Sequence, residues 1–75
     1  MSDSQTLLDP GKLRDKRIRA RLTRPELARI TGLDSTHIFK LEAGTRGTTP
    51  KTLGALADAL GCDIDDLMPD KAVAA

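Results

Sequence analysis

The chain contains no tryptophan and no tyrosine, and Phe39 is its one aromatic residue. Its core must therefore be built from Leu, Ile, Ala and Val-sized groups, a palette that suits packed helices. Cys62 is the sole cysteine, so neither an internal disulfide nor a multi-cysteine zinc site is available. The fold is expected to be stable through packing alone, in a reducing compartment. There is one histidine, no cluster with metal-ligand spacing and no glycine loop of the phosphate-cradling kind. A chain this short also encloses a pocket of about 300 Å³ only with difficulty, so we expect no enzyme, no cofactor, no metal and no small-molecule substrate. No apolar run approaches the roughly 18 residues that span a bilayer. The start, MSDSQTLLD, lacks the basic and apolar regions of a signal peptide, and the expectation is a cytoplasmic protein without a membrane partner.

What is present is charge, and it is unevenly placed. Over the 75 residues the net charge is only +1, but residues 12–51 carry 11 Lys/Arg against 4 Asp/Glu. Residues 1–11 hold two acids and no Lys or Arg, while residues 52–75 hold five acids and one lysine. A basic body beside an acidic C-terminal segment is the pattern left by one polyanion-binding face, and equally that of a solvated basic surface. The length allows one domain, which buries only about 60% of its unfolded surface and must be economical.

Five helix starts punctuate the chain. Asp9-Pro10 opens the first, with Leu13, Arg17 and Ala20 on one face up to about Arg21. Thr23-Arg24-Pro25-Glu26 has the form of a capping box, and Leu27, Ala28 and Thr31 then point inward until Gly32. Asp34 is the cap of a third helix that carries Ile38 and Leu41 inward and stops at Gly44. Residues 45–48 read as a flexible loop. Thr49-Pro50 starts a fourth helix with a stripe of Leu53, Leu56, Ala57 and Leu60, closed by Gly61. Asp63 begins a short fifth helix or turn that Pro69 prevents from extending. No stretch alternates with period two over a strand length, so the fold class is all-α: a compact five-helix bundle over residues 9–69, with a flexible N-terminus at 1–8 and a frayed tail at 70–75. The second and third helices, joined through Gly32 and Leu33, form a helix-turn-helix, the unit that holds one helix across another and frees it to enter a major groove.

The stretch LTRPELARITGLDSTHIFKLEAG, Leu22 to Gly44, resembles the helix-turn-helix of the Cro and lambda-repressor superfamily, also called the XRE family. TPKTLGALADALG resembles the helix that usually follows, and the likeness extends over roughly Lys12 to Met68. The resemblance implies a lambda-repressor-like domain that binds double-stranded operator DNA as a two-fold homodimer, in a bacterium or a phage. Carried over by position, it puts base reading on Ser35, Thr36 and Lys40. Phosphate contacts fall on Arg24 and on the loop with Thr45 and Arg46. Helical geometry agrees: with Ile38, Leu41 and Glu42 inward, the opposite arc holds Thr36, Lys40 and Ala43, flanked by Ser35, Phe39 and His37. Lys40 can donate to guanine O6 and N7, whereas the two hydroxyls are permissive. Lys51 and the free N–H groups opening the second helix fit phosphate as well.

Arg17 and Glu42 both fall on inward sides of their helices and are expected to pair. The resemblance supports a partly buried salt bridge there. Three positions depart from the family pattern. Phe39 stands where a small polar residue is usual, and either touches a thymine methyl or packs against a loop or a neighbouring subunit. His37 replaces a frequent aromatic and suits a phosphate or sugar contact, and Ala43 replaces a polar residue. Cys62 reads as a small core hydrophobe. Ile64, Leu67 and Met68 are expected to form the dimer surface. Two functions follow: a sequence-specific transcriptional regulator, repressor-like, or an antitoxin or adaptor of the same fold whose main partner is a protein.

Overall fold

The computed structural model describes residues 8–45 and 47–69. They form helices α1 (Pro10–Arg19), α2 (Arg24–Thr31), α3 (Ser35–Ala43) and α4 (Pro50–Leu60), followed by a 3-10 helix at Ile64–Leu67. Among the described residues there is no strand-paired sheet, and the chain is all-helical. The expected fifth helix is thus a single 3-10 turn, so the described residues hold four α-helices rather than five. Pro69 follows it within two residues and leaves no length for a second turn. The flexible segment expected at 1–8 and the frayed tail at 70–75 lie outside the described residues, except for Leu8, which packs against the core.

Each helix begins where a side chain or a proline deals with the unpaired N–H groups of its first turn. The Asp9 carboxylate accepts from the Gly11 and Lys12 amides at 2.9 and 3.2 Å. Thr23 and Glu26 close the capping box in both directions: the Glu26 amide donates to the Thr23 hydroxyl at 3.2 Å, and the Thr23 amide donates to the Glu26 carboxylate at 2.8 Å. Thr49 caps α4 by accepting from the Thr52 amide. Asp34 is the exception, because it holds the cap position of α3 with extended backbone but its side chain makes no capping hydrogen bond.

The ends of the helices share one device. The amide one residue past the left-handed position donates back five residues, as in Leu33 to Ala28, Thr45 to Lys40 and Cys62 to Ala57. Glycine supplies the positive φ in those three cases, and at Gly32 it sets the tight α2–α3 turn with φ 79°. A Cβ on Gly32 would meet nothing within 4 Å, so the requirement there is conformational and not steric. At the end of α1 the same geometry is made by Arg21, with φ 61°, flanked by Arg21 and Leu22 amides donating to Ile18 and Arg17. α1 consequently ends at Arg19, and Ala20, expected inward, is exposed.

The core is Leu13, Leu27, Ala28, Ile38, Leu41, Leu53, Leu56, Ala57 and Leu67, every one under a tenth exposed. α3 packs on α1 and α2, α4 packs on α2, and the 3-10 helix closes the far side against α1 and α4. The Asp9 amide donates to the Leu67 carbonyl at 2.8 Å, and Lys12 Nζ donates to the Met68 carbonyl at 3.0 Å, so the 3-10 turn is fastened to the start of α1. Leu67 is 0% exposed and belongs to this core. That corrects its assignment to a dimer surface: it is consumed by the protomer's own packing. Thr48, expected in a flexible loop, is buried at 3% exposure.

A left-handed Arg21 carries a conformational cost that glycine does not. Arg21→Gly is expected to stabilise the domain by about 0.5–1 kcal/mol and to raise Tm by roughly 2–8 °C, and thermal unfolding followed by circular dichroism checks it. A lowered midpoint would show that the Arg21 side chain contributes more than its backbone costs.

Candidate nucleic-acid interface

The outward side of α3 is supported from beneath by a cluster of charge. Arg17, 9% exposed, donates from Nε to Glu42 Oε2 at 2.5 Å and from Nη2 to Glu42 Oε1 at 3.2 Å, and its Nη1 donates to the Leu22 carbonyl at 2.8 Å. The fork geometry of guanidinium against carboxylate satisfies both groups at once, and the third bond pins the α1–α2 connection. Arg24, in the first turn of α2, donates from Nε to Glu42 Oε1 at 3.1 Å. One carboxylate with 2% side-chain exposure therefore links three helices. Among the described residues, no buried side-chain nitrogen or oxygen lacks a partner.

Arg24 does more than approach Glu42. Its guanidinium lies over the Phe39 ring, 5.2 Å from the centroid, a cation–π contact between the first turn of α2 and the outer side of α3. Arg24, Pro25, Ser35, Thr36 and Phe39 together line an open surface cleft of about 300 Å³. Four of the residues singled out from sequence thus share one site. Lys40 stands exposed one turn along α3 from Thr36, on the same side but outside the cleft. His37 is half-buried on the flank of the helix. The Thr45 hydroxyl donates to the Lys40 carbonyl at 3.3 Å and so helps to finish α3, while its residue remains exposed. Lys51 is exposed at the start of α4, and Arg46 lies outside the described residues. Ile64 is 41% exposed and Met68 half-buried, so of the expected dimer residues these two reach the surface.

The start of α2 is a poorer anion site than its position suggests. Pro25 has no N–H, the Glu26 amide is taken by Thr23, and the Leu27 amide donates to the Thr23 carbonyl. Hydrogen bonds from the Thr23 backbone and hydroxyl, opposed only by slight desolvation and aided by Arg29, hold the Glu26 carboxyl below its usual range. That residue stays ionised and opposes a second anion there, which leaves Arg24 as the cation in the first turn of α2. Cys62 is half-buried against the core, and burial, followed by the charge of Asp66, pushes its thiol up, away from the reactive thiolate. No group of His, Cys, Asp and Glu among the described residues could hold a metal ion. No helix among them is long and apolar enough to cross a membrane.

The Arg24 stack and its bond to Glu42 were not legible as a pair in the sequence. The available signal was spacing: Phe39 and Glu42 are three apart on α3, so a long cation entering from α2 can reach both. The two arginines on Glu42 are expected to respond differently to mutation. Glu42→Ala strands the buried Arg17 charge and should cost about 3–5 kcal/mol, whereas Arg24→Ala removes a partly exposed partner and should cost under about 1 kcal/mol. Urea denaturation of both variants measures this, and equal losses would contradict it.

Comparison with known proteins places this geometry. The HTH_3 helix-turn-helix family matches residues 13–67. No curated protein matches the chain. Among solved structures, the restriction-modification controller protein C.AhdI from Aeromonas hydrophila superposes with a TM-score of 0.76 at 29% identity, covering 79% of this chain and 89% of that one. The P22 c2 repressor, solved in complex with synthetic operator 9T, superposes with a TM-score of 0.77 at 25% identity, covering 84% and 96%. Hydroxyethylphosphonate dioxygenase superposes with a TM-score of 0.74 at 26% identity over 87% of this chain, which spans only 14% of the length of that enzyme. With the family match extending from α1 to the 3-10 helix, the chain belongs to the HTH_3, XRE-type helix-turn-helix family.

Proposed function

We propose that this protein is a sequence-specific DNA-binding transcriptional regulator that lays α3 in the major groove. The observation that carries the reading is the two-sidedness of α3. Ile38 and Leu41 are fully buried and Glu42 is clamped by two arginines, while Thr36, Phe39 and Lys40 face outward beside Arg24, the half-buried cation of α2. A helix so held presents its side chains at fixed positions, which is what reading base edges demands. Lys40 is the guanine reader, Ser35 and Thr36 supply adaptable hydroxyls, and Lys51, Thr45 and Arg46 neutralise or bond phosphate on the flank. The relatives point the same way: one is a restriction-modification controller protein, another a repressor solved with an operator.

A two-fold dimer fits this role, because pairing two short recognition helices doubles the contact with DNA. The surface for it centres on Ile64 and Met68 and not on Leu67. Asp58, Asp63 and Asp65 surround Ile64 in one open groove, so a self-complementary contact there sets carboxylates against each other. The chain works by binding and not by catalysis, and the dioxygenase likeness concerns one segment of a much longer protein. Its place is the compartment that holds the DNA.

The test is fluorescence anisotropy on duplexes selected from a random pool, titrated with salt. Affinity is expected to fall linearly in log–log form with a slope of roughly −2 to −4 per protomer, from as many phosphate contacts. Lys40→Ala should cost about 1–3 kcal/mol on the selected site and little on unrelated DNA. Absence of any retained duplex at low salt, or affinity indifferent to salt, would overturn the reading.

A further inference from the structure

The cleft between the first turn of α2 and the outer side of α3 has a chemistry that phosphate contact does not explain. One wall is the Phe39 ring, left 51% exposed, and beside it stand Pro25 and the methyl-bearing Thr36. At one end is Arg24, whose Nε is engaged by Glu42 and whose face is engaged by the ring. A phosphate clamp needs only a cation on a flexible stem; it has no use for an exposed aromatic wall. An exposed ring held in place by a stacked guanidinium is an apolar surface kept ready for an apolar group.

In the major groove one such group exists. The base edges present hydrogen-bond donors and acceptors, and the sole apolar feature is the methyl at C5 of thymine, which 5-methylcytosine shares. Resting on the assignment of α3 to the major groove, we propose that the Arg24–Pro25–Thr36–Phe39 cleft is a receptor for the 5-methyl group of a pyrimidine. Phe39 provides the wall that covers the methyl. Arg24 is a positioning residue for the ring, and its two terminal NH2 groups make no hydrogen bond among the described residues, which leaves their donors available to the acceptors of a base pair. The consequence is a site that separates thymine from uracil, and methylated from unmethylated cytosine, through one aromatic residue.

The experiment begins with the tightest duplex selected from a random pool. Each thymine in it is replaced singly by deoxyuridine, which deletes the methyl and keeps every hydrogen bond. One position in each half-site is expected to lose about fourfold in affinity, the worth of one buried methyl group. At that position a cytosine–guanine pair should gain by a similar factor when the cytosine carries a 5-methyl group. Phe39→Ala is expected to bind the thymine and deoxyuridine duplexes equally, and Phe39→Leu to keep part of the difference. Circular dichroism confirms that each variant is folded, which the exposure of the ring favours. A flat deoxyuridine scan with salt-dependent binding intact overturns this proposal and leaves the major-groove reading standing. Equal loss by Phe39→Ala on all duplexes with the methyl preference retained overturns it as well. Failure of the wild-type protein to bind any duplex at low salt overturns the function on which it rests.

Discussion

A single buried carboxylate organises this domain. Glu42 accepts from Arg17 of α1 and from Arg24 of α2 while itself belonging to α3, so the three helices that make and support the turn meet at two oxygen atoms. α2 has eight residues and α3 has nine, lengths at which isolated helices do not persist in water. Their mutual angle is therefore a property of what lies between them. Leu27, Ala28, Ile38 and Leu41 supply the apolar part of that contact without direction, and the carboxylate supplies direction. Such a bridge is weak evidence for stability, since an apolar replacement of similar shape is often as good, and strong evidence for a fixed geometry.

The outer surface inherits its order from this buried point. Arg24 is exposed enough to meet a ligand yet cannot wander, because Glu42 holds its Nε and Phe39 its face. Phe39 in turn would be an unsupported apolar ring without the guanidinium. The charge separation seen along the sequence acquires a spatial sense here. The basic stretch of residues 12–51 spans most of α1, all of α2 and α3 and the start of α4, while Asp58, Asp63 and Asp65 surround the exposed Ile64.

Much of this was written locally and was readable as such. The Thr23–Glu26 capping box, the prolines at Pro10, Pro25 and Pro50 and the glycine at Gly32 each act within a few residues of themselves, so their types and spacing identify the helix ends. The pairing of Arg17 with Glu42 was legible because a charge on an inward face demands a partner. What was not legible depended on distant packing. Arg21 makes a left-handed turn with no glycine to announce it, because the Leu22 amide and carbonyl are already committed to Arg17 and stabilise the turn from outside. Ile64 and Leu67 are three apart and equally apolar, and only the approach of α1 and α4 decides that Leu67 is core and Ile64 surface. The Arg24–Phe39 stack spans two helices and has no local signature.

Glu42 orders the outer surface of α2 and α3 and does not merely hold the fold together. Replacing the pair with apolar side chains of similar length, Arg17→Met with Glu42→Met, separates the two roles, since removing both charges together strands neither. The double variant is expected to keep its Tm within a few degrees while its affinity for the selected duplex drops roughly two- to tenfold, the cost of ordering a released Arg24 on binding. A folded double variant that binds with wild-type affinity would contradict the claim.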